Sequence, residues 1–256
     1  MRLGPDHDPT AVTAAQVREV IARLREAGQH HDGDPDILVV FDAGYDVCRL
    51  AFLLADLPVE LLGRLRSDRV LCRPAPVHEP GTTGRPSRHG PTFALAEADT
   101  EAAPRPVAAT STATTRYGTA RAQAWARRHP RLTRRGAWAE HAGELPIVEG
   151  TLIRLRVEHL PGQRDPKPLW LWSSRTEATG REVDRCWQAF LRRFDLEHTF
   201  RLLKQTLGWT AAKIRDPAAG DRWTWLIITA YAQLRLARGL TDDLRRPWER
   251  PAHPAG

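Results

Sequence analysis

FLRRFDLEHTFRLLK, residues 190–204, reads as helix, yet its charges are gathered in an unusual way. A helix turns about 100° per residue, which puts Phe190, Arg193, Phe194, Arg201 and Lys204 within about 60° of Glu197. Leu191, Leu196, Leu202 and Leu203 fall on the other faces. One carboxylate and three cations thus share a patch with two aromatic rings. A solvated face accounts for the charges, since Arg193/Glu197 and Glu197/Arg201 are i,i+4 pairs worth about 0.3 kcal/mol each. A metal-binding carboxylate flanked by phosphate-binding cations also accounts for them. Mg²⁺ takes carboxylate oxygens and keeps water and substrate phosphate as its remaining ligands. Cations beside it hold a nucleic-acid backbone in place.

Spacing separates the two readings. The run is Phe190-x2-Arg193-x3-Glu197-x6-Lys204, and the lysines of the chain are only Lys167, Lys204 and Lys213. With so few lysines, the match seldom arises by chance. It resembles the Tyr-x2-Arg-x3-Glu-x6-Lys signature of a large superfamily of bacterial insertion-sequence transposases. Those enzymes have an RNase H-like core with an Asp-Asp-Glu metal triad. Phe190 stands where the family usually has Tyr, keeping the ring but losing the hydroxyl and any phosphate contact through it.

Upstream, ILVVFDAGYD places a continuous apolar run, Ile37 to Phe41, directly before Asp42. Such a run suits a strand buried on both faces, as in a central parallel sheet. Asp42 alone reads equally well as a strand-to-helix turn residue, and Asp46 as a helix N-cap. The resemblance makes Asp42 the second metal ligand and Glu197 the third. It also implies Mg²⁺, or Mn²⁺ in its place, and the ends and target of a double-stranded DNA transposon as partner. Phe190, Arg193, Arg201 and Lys204 become DNA-binding, and a homodimer assembled on DNA is implied. The segment from Arg185 to Arg238 resembles the family's C-terminal core block throughout.

The remaining pattern is α/β. A helix is expected from Thr13 to Gly28, with Thr13 and Gln16 as a capping box and Val17, Val20, Ile21 and Leu24 at helical spacing. A second helix spans about 46–55 and a strand about 59–71. Residues 73–116 are rich in Pro, Gly, Thr and Ala. A short helix is expected over Ala120–Arg128. Ile153, Leu155 and Val157 alternate with Arg154, Arg156 and Glu158 as a half-buried strand, and LWLW, 169–172, is another. Long helices are expected over Arg181–Gln205 and Asp221–Arg238. The division expected is 1–72 for the first part of an RNase H-like core, 73–166 for a β-containing insertion, 167–240 for the second part with the Glu197 helix, and 241–256 for a Pro- and Arg-rich tail.

The first carboxylate of the triad is not identified. In the family it lies on a three-strand meander ahead of the helix that here begins near Thr13, and Asp6 and Asp8 sit in polar loop. The expected core is therefore partial, its first strands missing, without an N-terminal DNA-binding region and with a short C-terminus. A two-metal site holds its ions about 3.5–4 Å apart between carboxylates, so cleavage should be impaired. Marginal stability is expected from the unpaired sheet edge. The alternative is a non-enzymatic transposase remnant that binds DNA or inhibits an intact copy. A plain nuclease needs a full carboxylate set, and a DNA-binding regulator needs a helix-turn-helix that the sequence does not display.

Composition agrees with these classes. Lys plus Arg number 38 against 31 acidic residues, a net charge of +7, which favours polyanions. Three scattered cysteines, Cys48, Cys72 and Cys186, argue against a disulfide framework and for a reducing cytoplasm, where the protein would associate with the nucleoid. No signal peptide or membrane span is visible. Cys72 with His78 makes too sparse a set for zinc, and His198 reads as a plain helix residue. GTTGRPSRHG and the pairs Arg127-Arg128 and Arg134-Arg135 read either as phosphate grips or as solvated basic loops. Trp170, Trp172, Trp187, Trp209, Trp223 and Trp225 read mostly as core.

Overall fold

The computed structural model describes residues 7–77, 85–97, 104–115, 117–160 and 166–240, and divides into two compact units, Met1–Leu191 and Arg192–Gly256. The tail 241–256, His78 and residues 81–84 of GTTGRPSRHG lie outside the described residues.

The first unit is a mixed α/β structure. Its elements are α1 (Pro9–Glu26), β1 (Ile37–Phe41), α2 (Val47–Leu53), β2 (Val59–Leu65), β3 (Val70–Cys72), β4 (Thr92–Ala94), β5 (Ala108–Thr114), β6 (Gly118–Arg128), β7 (Gly150–Val157), β8 (Leu169–Ser173) and α3 (Gly180–Arg192). The main sheet runs β1-β2-β8-β7-β6-β5, and β3 pairs with β4 in a small second sheet. β1 and β2 are parallel and joined through α2, the βαβ step expected of an RNase H-like core. The other pairings in the main sheet are antiparallel.

Both faces of the sheet are covered. On one, Leu62, Ala122, Ile153 and Leu171 pack with Val183, Cys186, Trp187 and Phe190 of α3. On the other, Leu61, Leu152, Trp170 and Trp172 pack with Val47 and Leu50 of α2 and Phe93 of β4. Each buried aromatic here removes well over 100 Å² from water, so these two clusters supply much of the driving force. Local chemistry fixes the element ends. Thr179 and Glu182 form a capping box at the start of α3, with Thr179 N–H donating to Glu182 at 2.8 Å. Gly28 takes φ +66° just beyond α1, the left-handed stop its position suggests. Gly63 lets α2 approach β2, since a Cβ there would lie 2.6 Å from Val47 Cβ.

Several sequence expectations need correction. α1 starts earlier than Thr13, because Asp8 caps it by accepting from Thr10 N–H at 3.0 Å. Among the described residues β1 is an edge strand, as the partial core expected from the sequence implies, but it is only half-buried except for Phe41, where the apolar run suggested burial on both faces. An apolar run shows what a strand tolerates, not how many neighbours it has. The strand expected over 59–71 is two, broken by a turn in which Arg69 N–H donates to Arg66 O.

The largest error is at 120–128, which is β6 and not helix. Alanine is the best helix former, but Ala120, Ala122 and Ala124 alternate with Arg121 and Gln123 at period two. All three alanines are fully buried against the α3 side of the sheet. β5 and β7 take up the backbone hydrogen bonds on both edges. Tertiary pairing overrides the propensity.

The second unit contains α4 (Phe194–Arg201), a π-helical turn at Leu202–Thr206, and α5 (Pro217–Ala237). The single helix expected over Arg181–Gln205 therefore changes its hydrogen bonding twice. At Arg193 the carbonyl accepts from Leu196 N–H at 3.1 Å, a tighter i+3 bond, and at Leu202 the winding loosens. α5 begins where Asp216 accepts from Ala219 N–H at 2.8 Å.

Candidate functional site

Asp42 follows the last residue of β1, at the carboxyl end of the parallel pair. Open α/β sheets bind ligands at such ends. Its Oδ1 accepts from Ala43 N–H at 2.8 Å, and its carbonyl accepts from Tyr45 N–H at 3.2 Å. The carboxylate is half-buried and oriented by its own turn. Asp46 is the N-cap of α2, as its position suggests, accepting from Arg49 N–H at 3.1 Å.

A cleft opens one residue beyond Asp42. Ala43, Tyr45 and Asp46 line one side, and its other lining residues include five arginines, Arg64, Arg66, Arg69, Arg131 and Arg135. Arg66 pairs with Asp68 at 2.8 Å, while the other four are exposed and have no ion-pair partner among the described residues. Cations kept unpaired beside a carboxylate give a surface suited to phosphate. Sequence reading missed Arg64, Arg69 and Arg131, which come from separate elements. The other flagged cations are engaged. Arg127 pairs with Glu149 at 3.0 Å and Glu177 at 3.3 Å, and Arg128 is buried over the Phe93 ring. Arg134 donates to the His141 carbonyl at 2.8 Å, and Arg88 pairs with Glu144 at 3.2 Å.

The signature residues divide between the units. Phe190 is 1% exposed and packs in the first unit with Val183, Cys186 and Trp187. In the second unit Glu197 has a side chain 65% exposed, with Arg193 at 4.0 Å. Arg201, Lys204 and His198 are exposed as well. Lys204 Nζ lies over the Phe200 ring at 5.9 Å, and that ring stacks on Trp209 at 6.1 Å. The wheel that joined Phe190 to Glu197 assumed unbroken 3.6-residue winding. The change at Arg193 alters that phase, and the π turn after Arg201 alters the later phase of Lys204. Of the tryptophans expected in the core, Trp170, Trp172 and Trp187 are buried, and Trp225 is 66% exposed.

Two buried polar groups escaped the sequence reading. Glu60, on β2, is 1% exposed. It accepts from Ser173 Oγ at 2.9 Å, faces Arg175 Nε at 3.1 Å and pairs with Arg185. Burial and this carboxylate push the neighbouring Cys186 thiol up to about 12. Cys186 is thus an inert packing residue.

The second group is Cys72, His89 and His129, whose ligand atoms lie within 4.8 Å of one another. It is the one cluster of three or more metal-type ligands among the described residues. Burial holds both imidazoles below the usual histidine range and raises the Cys72 thiol. The sequence shows Cys72 near only His78, which lies outside the described residues, and nothing local links positions 72, 89 and 129. The donors are sulfur and nitrogen, so the cluster does not fit Mg²⁺. Asp42 and Glu197 offer the hard oxygens that ion takes.

The family model for the DDE superfamily endonuclease matches residues 2–131. That stretch includes Asp42 and all of the cleft arginines except Arg135, and stops short of Glu197. No curated protein matches the chain. No helix among the described residues is long and apolar enough to cross a membrane.

Proposed function

Because the chain belongs to the DDE superfamily endonucleases, whose members act on DNA with divalent metal ions, we propose that it is the nuclease core of an insertion-sequence transposase. The arginine cleft opening directly beyond Asp42 carries this reading. On it, residues 1–72 and 167–240 make the two parts of the core and 73–166 the insertion. Asp42 and Glu197 are the carboxylates that would serve as ligands of the ion, Mg²⁺ foremost. Arg64, Arg69 and Arg131 would hold the backbone of the strand to be cut, and Arg193, Arg201 and Lys204 remain DNA contacts of their own unit. A bound divalent ion lowers the pKa of water and stabilises the leaving oxygen. The half-buried Asp42 carboxylate, set by Ala43 N–H, supplies an oriented hard donor for it. Phe190, being buried, serves by packing and not by stacking on DNA.

Cleavage by this chain is weak on the same reading. Two carboxylates of the resembled triad are identified, and β1 has no strand on its outer side among the described residues. The unpaired arginines beside Asp42 also suit the second reading, a remnant that binds DNA without cutting it. Nicking of supercoiled plasmid with Mg²⁺ or Mn²⁺ separates the two. Metal-dependent nicking lost in Asp42→Asn and in Glu197→Gln supports an enzyme. DNA binding without nicking, weakened in an Arg69→Ala/Arg131→Ala variant with a shallower salt dependence, supports the remnant. Absence of both activities refutes the two readings together.

A further inference from the structure

Cys72 ends β3, His89 lies in the loop before β4, and His129 follows β6. The backbone holds all three in place. Cys72 and His129 form a β-bridge, with Cys72 N–H donating to His129 O at 2.7 Å and His129 N–H to Cys72 O at 3.2 Å. Beside His89, Gly90 N–H donates to Arg73 O at 3.0 Å. A Cβ on Gly90 would come within 2.0 Å of the Pro74 carbonyl oxygen, so only glycine seats the loop this closely. His89 Nδ1 is 2.9 Å from His129 Nε2. Cys72 and His129 are buried and His89 half-buried. The buried Nδ1 of His129 makes no hydrogen bond of ordinary geometry.

We propose that Cys72, His89 and His129 bind a borderline-soft divalent cation, Zn²⁺ in the first place, which ties the His89 loop to the ends of β3 and β6. One thiolate, two imidazoles and a water make a tetrahedral zinc set. With Zn–N of about 2.0–2.1 Å and Zn–S of about 2.3 Å, tetrahedral geometry separates paired nitrogens by about 3.3 Å and nitrogen from sulfur by about 3.6 Å. To admit the ion the two imidazoles part by a few tenths of an ångström and the Cys72 sulfur closes in by up to about 1 Å, since the three ligand atoms lie within 4.8 Å of one another. A histidine–histidine hydrogen bond explains the 2.9 Å contact but not the convergence of the Cys72 sulfur on the same point. Arg128 and Arg131 lie nearby and oppose a cation. The thiolate formed on binding offsets one charge, so affinity should fall below that of an all-cysteine site. This cation is distinct from the one proposed at Asp42 and Glu197.

Metal analysis of the full chain purified without added metal should find about one zinc per chain. After chelation, Co²⁺ titration should give the visible bands of a tetrahedral site and a sulfur-to-cobalt charge-transfer band. Cys72→Ser should abolish the charge-transfer band, and His89→Gln should weaken Co²⁺ binding at least tenfold. Asp42→Asn should leave the sulfur-to-cobalt band in place, which keeps this result independent of the nuclease reading. His89 sits on a half-exposed loop, so its variant reads out even where Cys72→Ser fails to fold. Protein free of zinc, with Co²⁺ giving no sulfur band, overturns the proposal and leaves a hydrogen-bonded pair beside a thiol. Bands unchanged in both ligand variants overturn it as well.

Discussion

α3 and α4 follow one another in the chain and look alike in sequence, each mixing Phe and Leu with Arg. They are built on different terms. α3 buries Val183, Cys186, Trp187 and Phe190 against the sheet, and Asp184 accepts from Thr110 Oγ1 at 2.6 Å and Thr112 Oγ1 at 2.9 Å of β5. α4 leaves Leu196 and Phe200 exposed and carries Glu197, Arg201 and His198 outward. The difference teaches that amphipathic spacing announces a helix without announcing its partner. A signature read along both helices therefore mixes residues that hold the fold with residues open to a ligand.

The comparison breaks most visibly at its two phenylalanines. Phe190→Ala should cost about 3–5 kcal/mol, the range for a fully buried ring, while Phe200→Ala should cost under about 1 kcal/mol. Chemical denaturation of both variants checks this, and equal losses would erase the distinction drawn here. Next in size is the alanine stripe that α3 rests on. Ala122→Leu should destabilise by about 1–3 kcal/mol through overpacking. If 120–128 were instead an exposed helix, the same change would be neutral, so the sign of the effect tests β6 itself.

A smaller effect belongs to Asp8. Arg49, by hydrogen bonding, holds the Asp8 carboxyl below the usual carboxylate range. A lowered folded value contributes stability above the unfolded pKa of about 3.9. That stability is lost as pH falls through the folded value. Asp8→Ala should remove a cap worth about 1 kcal/mol. Asp8→Asn should keep most of the cap and flatten the acid limb of a stability–pH curve below about pH 4. The smallest expected effect is at Glu197. Glu197→Gln should shift stability by less than about 0.5 kcal/mol, because its partner Arg193 stands at 4.0 Å and the carboxylate is mostly in water. A large loss in a thermal melt would make Glu197 a structural residue and remove it from the site.

Much of the fold was legible because its signals were local. The run Ile37–Phe41 announced β1, the alternation at 153–157 announced β7, and LWLW announced β8. Asp46 and Gly28 were read correctly as helix punctuation, since capping depends on a few neighbouring atoms. β6 was misread for the opposite reason. Its alanines carry a local preference for helix, and only the strands on either side reverse it. The candidate site divided in the same way. Asp42 and the Glu197 spacing stood out in one dimension, whereas Arg64, Arg69 and Arg131 meet only through the turn after β2 and the segment after β6.

By itself the sequence determined the fold class, the βαβ step around Asp42 and a basic chain suited to DNA, because these follow from periodicity, capping and net charge. Tertiary structure alone decided that Phe190 is core while Glu197 is open, that alanines build a strand, and that Cys72 meets His89 and His129. Burial and convergence depend on which distant segments pack together, and that is settled by the sheet and not by any stretch of neighbouring residues.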